Sequence, residues 1–245
     1  MPEHTLAAYL RALEDGADGL ECDVRLTRDG HLVCVHDRRL DRTSNGRGRV
    51  STKTLAELEP LDFGSWHPAS VLPDEPPDPD YTRLLTLDGL LDAVRGCGRP
   101  VRLLIETKHP SRYGAEVERR LVALLRHHGI ADPSPGDPVQ VTIMSFSALA
   151  LRRIRMLAPH LPTVYLMEIL PPGIGRGRLP FGAQIAGPRV GLVRRHPGLL
   201  PALQAAGLQT YVWTVNTDAD LNQVLALKAD GIITDRPRYV LDHLC

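Results

Sequence analysis

The chain has no surplus of charge of either sign, with 29 Lys and Arg against 29 Asp and Glu in 245 residues. A dedicated nucleic-acid surface would normally carry a basic excess, so that class of partner is disfavoured. No apolar run approaches the ~18–20 residues needed to span a bilayer. The opening Met1-Pro2-Glu3-His4-Thr5 lacks the basic-then-apolar layout of a secretory leader. Together these absences lead us to expect a globular, cytoplasmic protein. Cysteine is sparse: Cys22, Cys34, Cys97 and Cys245 are too widely spaced for a CxxC pair, a zinc knuckle or a disulfide framework, and should be reduced thiols. Lysine is scarcer still. Only Lys53, Lys108 and Lys228 interrupt an otherwise all-arginine set of cations, which makes each of them worth attention.

What remains is ordinary for a folded enzyme-sized chain. Apolar residues make up 43%, enough for a core, and 42 residues are Gly or Pro. That share is roughly 17%, below the ~25–30% typical of low complexity. Helix and strand patterns alternate. Residues 5–15 have helical spacing and stop at Gly16. Two alternating runs, 19–26 and 32–35, flank Asp29-Gly30 and predict a β-hairpin. Residues 38–84, including the run PDEPPDPD at 73–80, read as an irregular surface excursion without a core of its own. Helices are then expected at 86–95, 113–128, 147–157, 198–206 and 218–228. Strands are expected at 101–108, 139–145, 163–168, near 184–186, at 210–215 and at 231–234. Counting the strand at 19, that gives seven strands of the parallel, helix-covered kind, one short of a (β/α)8 barrel. A doubly wound sheet should carry a Gly-rich phosphate loop after an early strand, and no G-x-G-x-x-G follows a strand here. The TIM barrel is the favoured α/β class.

In such a barrel the chemistry lies at the C-terminal strand ends. Glu21 and Asp23 end the first strand, and Glu106 and Lys108 the next. Ser145, Glu168, Asn216 and Asp235 follow on later ones. If Asp29-Gly30 are the two loop residues of the hairpin, Asp23 pairs with His36, with Glu21 on the same face; that inference holds only in this register. Three converging carboxylates cannot all stay ionised without a counter-charge. A hard divalent cation with oxygen ligands would supply one, and solvent or pairing with arginines would be the alternative. Spacing alone leaves both open. His36 by itself reads equally as a satisfied strand-end histidine. Lys108, after so apolar a strand, is expected to point inward. His67 and His127-His128 read as bland, and His109 as ambiguous.

The ordered runs Pro2-Glu3-His4-Thr5, Gly16 to Gly30 (GADGLECDVRLTRDG), Val35-His36-Asp37 and Leu40-Asp41-Arg42-Thr43 resemble the glycerophosphodiester phosphodiesterase family. So do Leu87 to Leu91, Ile105-Glu106-Thr107-Lys108, Trp213-Thr214-Val215-Asn216 and Ile233 to Pro237. The Glu-Thr-Lys-His-Pro run is most similar to the actinobacterial members. The resemblance implies one (β/α)8 domain over 1–245, with 38–84 as the family's small insertion. It also implies metal-dependent hydrolysis of glycerophosphodiesters to glycerol 3-phosphate and an alcohol. Carried over, Glu21, Asp23 and Glu106 match the family's ligands for Ca²⁺ or Mg²⁺, His36 one of two catalytic histidines, and Lys108 a phosphate-contacting cation. The implied route runs through a cyclic phosphate formed by the glycerol 2-hydroxyl. Trp213 is read as an apolar wall for the glycerol carbons or as a core tryptophan. Family members begin with a strand ending in His-Arg-Gly. Here that strand, the second histidine and a phosphate-clamping arginine are lacking, and His4 stands in an asparagine position. An impaired enzyme is therefore expected. The alternatives are a weak or inactive relative that binds phosphodiesters or a partner protein, and an enzyme acting on lysophospholipids or sphingomyelin.

Overall fold

The computed structural model describes residues 1–68, 78–134, 136–174 and 177–244. The expectations for Cys245 and for 73–77 of the PDEPPDPD run lie outside the described residues. Contacts divide the chain into two compact units, Met1–Val141 and Thr142–Cys245.

The first unit opens with α1 (Leu6–Glu14), whose N-terminus is capped by the Thr5 hydroxyl accepting from Ala8 N–H at 3.3 Å. Gly16, at φ +94°, takes the chain out of the helix, a conformation that favours glycine. β1 (Gly19–Leu26) and β2 (Leu32–Cys34) form the expected hairpin. After the excursion, which carries the single-turn helices α2 (Leu55–Leu58) and α3 (Pro79–Thr82), come α4 (Leu87–Gly96), β3 (Val101–Thr107) and α5 (Glu116–His127). β1 pairs with β2 on one side and runs parallel to β3 on the other. β4 (Val139–Ser145) straddles the boundary between the units.

The second unit continues the alternation. α6 (Ala148–Leu157), β5 (Thr163–Met167), β6 (Ile185–Pro188), α7 (Val190–Arg195), α8 (Leu199–Ala205), β7 (Gln209–Val212), α9 (Asp218–Ala226), β8 (Gly231–Ile232) and α10 (Pro237–Asp242) follow in order. Its strands lie in sequence order from β4 to β8, and each neighbouring pair is parallel. Ser147 and Thr217 cap α6 and α9 through their hydroxyls. Val193, Leu200, Val212, Leu221 and Val224 pack α7, α8 and α9 against β7. All seven expected strands are present, with β2 as the antiparallel extra. Among the described residues no helix is long and apolar enough to cross a membrane.

Three features differ from the sequence expectation. The hairpin loop has three residues, Arg28-Asp29-Gly30, closed by Thr27 N–H donating to the His31 carbonyl at 2.9 Å. Gly30 at φ +89° supplies the left-handed residue that such a loop needs. The register therefore shifts by one, Val24 facing Cys34, and Val35, not His36, donates its N–H to the Asp23 carbonyl. The excursion also has apolar anchors. Leu40, Val50, Leu58 and Phe63 bury against Val33 and Val35 of the hairpin. They are spaced without period among polar residues, so pattern reading passes over them. Finally, α7 and α10, each only six residues long, fall below what helical periodicity reveals.

Leu58 is fully buried in the excursion's cluster. Replacing it with alanine should cost about 2–5 kcal/mol of unfolding free energy, the range for a leucine truncated in a packed site. Urea denaturation measures this. A cost below ~0.5 kcal/mol, the level of a free surface residue, would show the excursion to be unpacked.

Candidate active site

Strand register assembles the site. Parallel pairing sets Asp23 of β1 beside Glu106 of β3. Glu21, two residues before Asp23, projects from the same face because side chains alternate along a strand. Carboxylate oxygens of Glu21, Asp23 and Glu106 lie within 4.8 Å of one another. Asp23 and Glu106 are buried, and Glu21 is partly so. Lys108, one residue past β3, is buried too and points inward as expected. Its Nζ lies 2.8 Å from Glu106 Oε2 and 2.9 Å from Asp23 Oδ1.

One ammonium does not balance three carboxylates. Burial, followed by the neighbouring Asp23 and Glu106, pushes Glu21 well above the usual carboxylate range, with Lys108 opposing. Burial and Asp23 raise Glu106 to about 7. Burial would raise Asp23 as well, yet the hydrogen bond from His4 and the charge of Lys108 outweigh it and hold Asp23 well below its ordinary value. Lys108 is raised against the cost of its burial by the same two acids. The cluster thus concentrates negative charge that the protein only partly offsets.

The donor set suits a hard divalent cation. It is all oxygen and it is convergent, and Asp23 Oδ1 is buried with Lys108 Nζ 2.9 Å away. Lys108 pairs with Asp23 and Glu106, and the charge of Arg25 also acts on both.

His36 stands in the loop after β2, with its side chain about half exposed. Because of the register shift it does not pair with Asp23. Asp37 takes its Nδ1 at 2.7 Å, an arrangement that makes Nδ1–H the donor and leaves Nε2 open. Arg42 in turn holds Asp37 (2.7 Å) and both Glu3 oxygens (2.7 and 2.6 Å). The Arg42 hydrogen bond is the main reason that Asp37 sits at about 2. Arg25, the next residue on the Glu21–Asp23 face, donates twice to the His36 carbonyl. His36 lines a small cleft with Glu3, His4, Val35, Thr43 and Phe63. Sequence reasoning passed over Arg25, Asp37 and Arg42 as site residues; only the adjacency of Asp37 to His36 was a signal. His4, which stands in the asparagine position of the family motif, has its Nε2 2.9 Å from Asp23 Oδ2.

Other candidates serve elsewhere. His109 Nε2 meets the fully buried Glu118 at 2.6 Å. In the second unit Asn216 bonds Asp235 through both its amide groups, and Glu168 lies 3.5 Å from Arg189. Trp213 is half-buried, donates to the Gly187 carbonyl at 2.7 Å and meets the exposed Phe146 edge-on. It is not a core tryptophan.

Comparison with known proteins finds relatives over nearly the whole chain. The model of the Glycerophosphoryl diester phosphodiesterase family matches residues 1–239. A Mycobacterium tuberculosis protein named "Probable glycerophosphodiester phosphodiesterase 1" is 51% identical over 223 residues, 90% of this chain and 80% of that one. A Bacillus subtilis glycerophosphodiester phosphodiesterase is 34% identical over 253 residues, covering 97% and 80%. The crystal structure of a glycerophosphodiester phosphodiesterase from Agrobacterium tumefaciens superposes with a TM-score of 0.72 at 28% identity, covering 97% and 92%. The fold class is the (β/α)8, TIM-type barrel expected from the strand–helix alternation.

The raised Glu106 carries a pH signature. An acid whose folded pKa (about 7) exceeds its ordinary 4.5 stabilises the native state below ~4.5, and that contribution is lost as pH rises through 7. Without added metal, the native chain should therefore lose about 1–3 kcal/mol relative to Glu106→Gln between pH 5 and 8. Parallel stability-versus-pH curves for the two proteins, from urea unfolding, would contradict it.

Proposed function

The chain belongs to the glycerophosphoryl diester phosphodiesterase family of phosphoric diester hydrolases, and from that premise we propose that it hydrolyses glycerophosphodiesters to glycerol 3-phosphate and an alcohol, with a divalent cation held by Glu21, Asp23 and Glu106. We read residues 1–245 as one catalytic domain, since a single family model runs through both compact units. The observation that carries the reading is the convergence of three carboxylates, under-compensated by Lys108, in a chain matched by that family over nearly its whole length.

A Ca²⁺ or Mg²⁺ ion bound there supplies positive charge against the phosphoryl oxygens. The chain's own residues supply the rest. Lys108, already raised and buried, adds a fixed cation on the same side of the phosphodiester, worth most in a water-poor site. His36, aligned by Asp37, offers Nε2 to take the proton of the glycerol 2-hydroxyl as that oxygen attacks phosphorus; the P–O bond to the alcohol breaks and the departing oxygen takes its proton from solvent. When water opens the cyclic phosphate, the imidazolium returns its proton to the glycerol 2-oxygen as the P–O bond to it breaks, and the proton of the attacking water passes to solvent. Asp37 fixes the ring's tautomer, and Arg42 and Arg25 hold the loop that carries it. On the family resemblance alone, Trp213 is assigned to the glycerol carbons.

The test is release of glycerol 3-phosphate from glycerophosphocholine at neutral pH. Turnover should stop with EDTA and return with Mg²⁺ or Ca²⁺, and His36→Ala should lose ~10²–10⁴ in kcat, the usual worth of an acid–base group. Turnover indifferent to EDTA would remove the metal from the account. An unimpaired His36→Ala would remove the histidine.

A further inference from the structure

His4 takes no part in the chemistry above, yet it is the residue most tightly built into the acidic cluster. It sits between Pro2-Glu3 and the Thr5 cap of α1 with its backbone at φ +56°, a left-handed conformation that few non-glycine residues adopt. With that backbone the ring lies between Tyr9 of α1 and Asp23 of β1. The ring is nearly buried, its side chain 11% exposed. Nε2 lies 2.9 Å from Asp23 Oδ2, and Nδ1 lies 2.6 Å from the hydroxyl of Tyr9, which is itself buried one turn into α1.

The proton pattern follows from the partners. An ionised carboxylate only accepts, so Nε2 carries the hydrogen and donates to Oδ2. Nδ1 makes the second hydrogen bond, with the Tyr9 hydroxyl. Both ring nitrogens are engaged, so His4 has none to offer a substrate. Its effect must pass through Asp23. With Oδ2 held by His4, the other oxygen, Oδ1, is the buried one that faces Lys108.

We propose that His4 is a positioning residue of the cation site: the Tyr9–His4–Asp23 chain locks the Asp23 carboxylate so that Oδ1 is presented to the metal. The inference rests on the reading of Glu21, Asp23 and Glu106 as metal ligands. Groups that stand behind a ligand in this way commonly change metal affinity about 10–100-fold when removed.

The experiment is calorimetric titration of the metal-free full chain with CaCl2 and MgCl2, alongside thermal unfolding of each variant without metal. His4→Ala should bind about 10–100-fold more weakly than the native chain. His4→Asn should recover most of that loss, because asparagine tolerates the left-handed backbone and still carries an N–H donor. Tyr9→Phe, which leaves His4 in place but without its partner, should fall between the native chain and His4→Ala. Glu21→Gln, a direct ligand change, should bind more weakly than any of these. If the native chain binds and Glu21→Gln does not, while His4→Ala and His4→Asn bind within twofold of native, the positioning role is wrong and the metal site stands. Failure of the native chain itself to bind either ion would overturn the metal reading and this inference with it. Should His4→Ala not fold, the comparison of native, His4→Asn and Tyr9→Phe still decides, since equal affinities across these three would contradict the proposal.

Discussion

Two adjacent parallel strands place Asp23 and Glu106 side by side, with Glu21 on the same face, and only one ammonium is near enough to answer them. In a poorly solvated setting that imbalance is costly, and the protein meets it by dividing the three acids. Glu21 and Glu106 are pushed toward protonation, while Asp23 is kept ionised by donors on two sides. The surrounding architecture follows from this division. Burial of Lys108, the left-handed turn at His4 and the burial of Tyr9 all concern the charge on one strand end.

The histidine side of the site is organised by a separate set of ion pairs. Arg42 bridges Glu3, near the start of the chain, to Asp37 in the loop after β2, and Asp37 aligns His36. Glu3 and His4 are sequence neighbours, so one short segment reaches both centres: one residue holds the histidine loop and the next holds the carboxylates. Pairs as exposed as Arg42–Glu3 contribute little to stability by themselves. Their value here is geometric, because a bidentate guanidinium fixes orientation as well as distance.

Much of this was legible before any coordinates. Strand alternation put Glu21 and Asp23 on one face, and the apolar run before Glu106 and Lys108 marked a strand end. Turn chemistry located the hairpin, but a two-residue loop and a three-residue loop with Gly30 in a left-handed conformation share the same Asp-Gly signal. That one residue moved His36 out of register with Asp23. The motif marks His4 as a departure without saying what it does, because its contact with Asp23 depends on a positive φ and on a partner nineteen residues away. The cluster of Leu40, Val50, Leu58 and Phe63 was hidden for a similar reason: irregular chain buries apolar residues without a period to betray them. What sequence pattern conveys is the face of an element. Which faces meet depends on register and on tight turns.

The central claim is that the three carboxylates, with Lys108 offsetting only part of their charge, form a site for one divalent cation. Crystals of the native chain soaked in MnCl2 and measured for anomalous scattering test it directly. The account predicts a single strong peak among the oxygens of Glu21, Asp23 and Glu106. A density map with no ion there, and Lys108 still bridging Asp23 and Glu106, would contradict it.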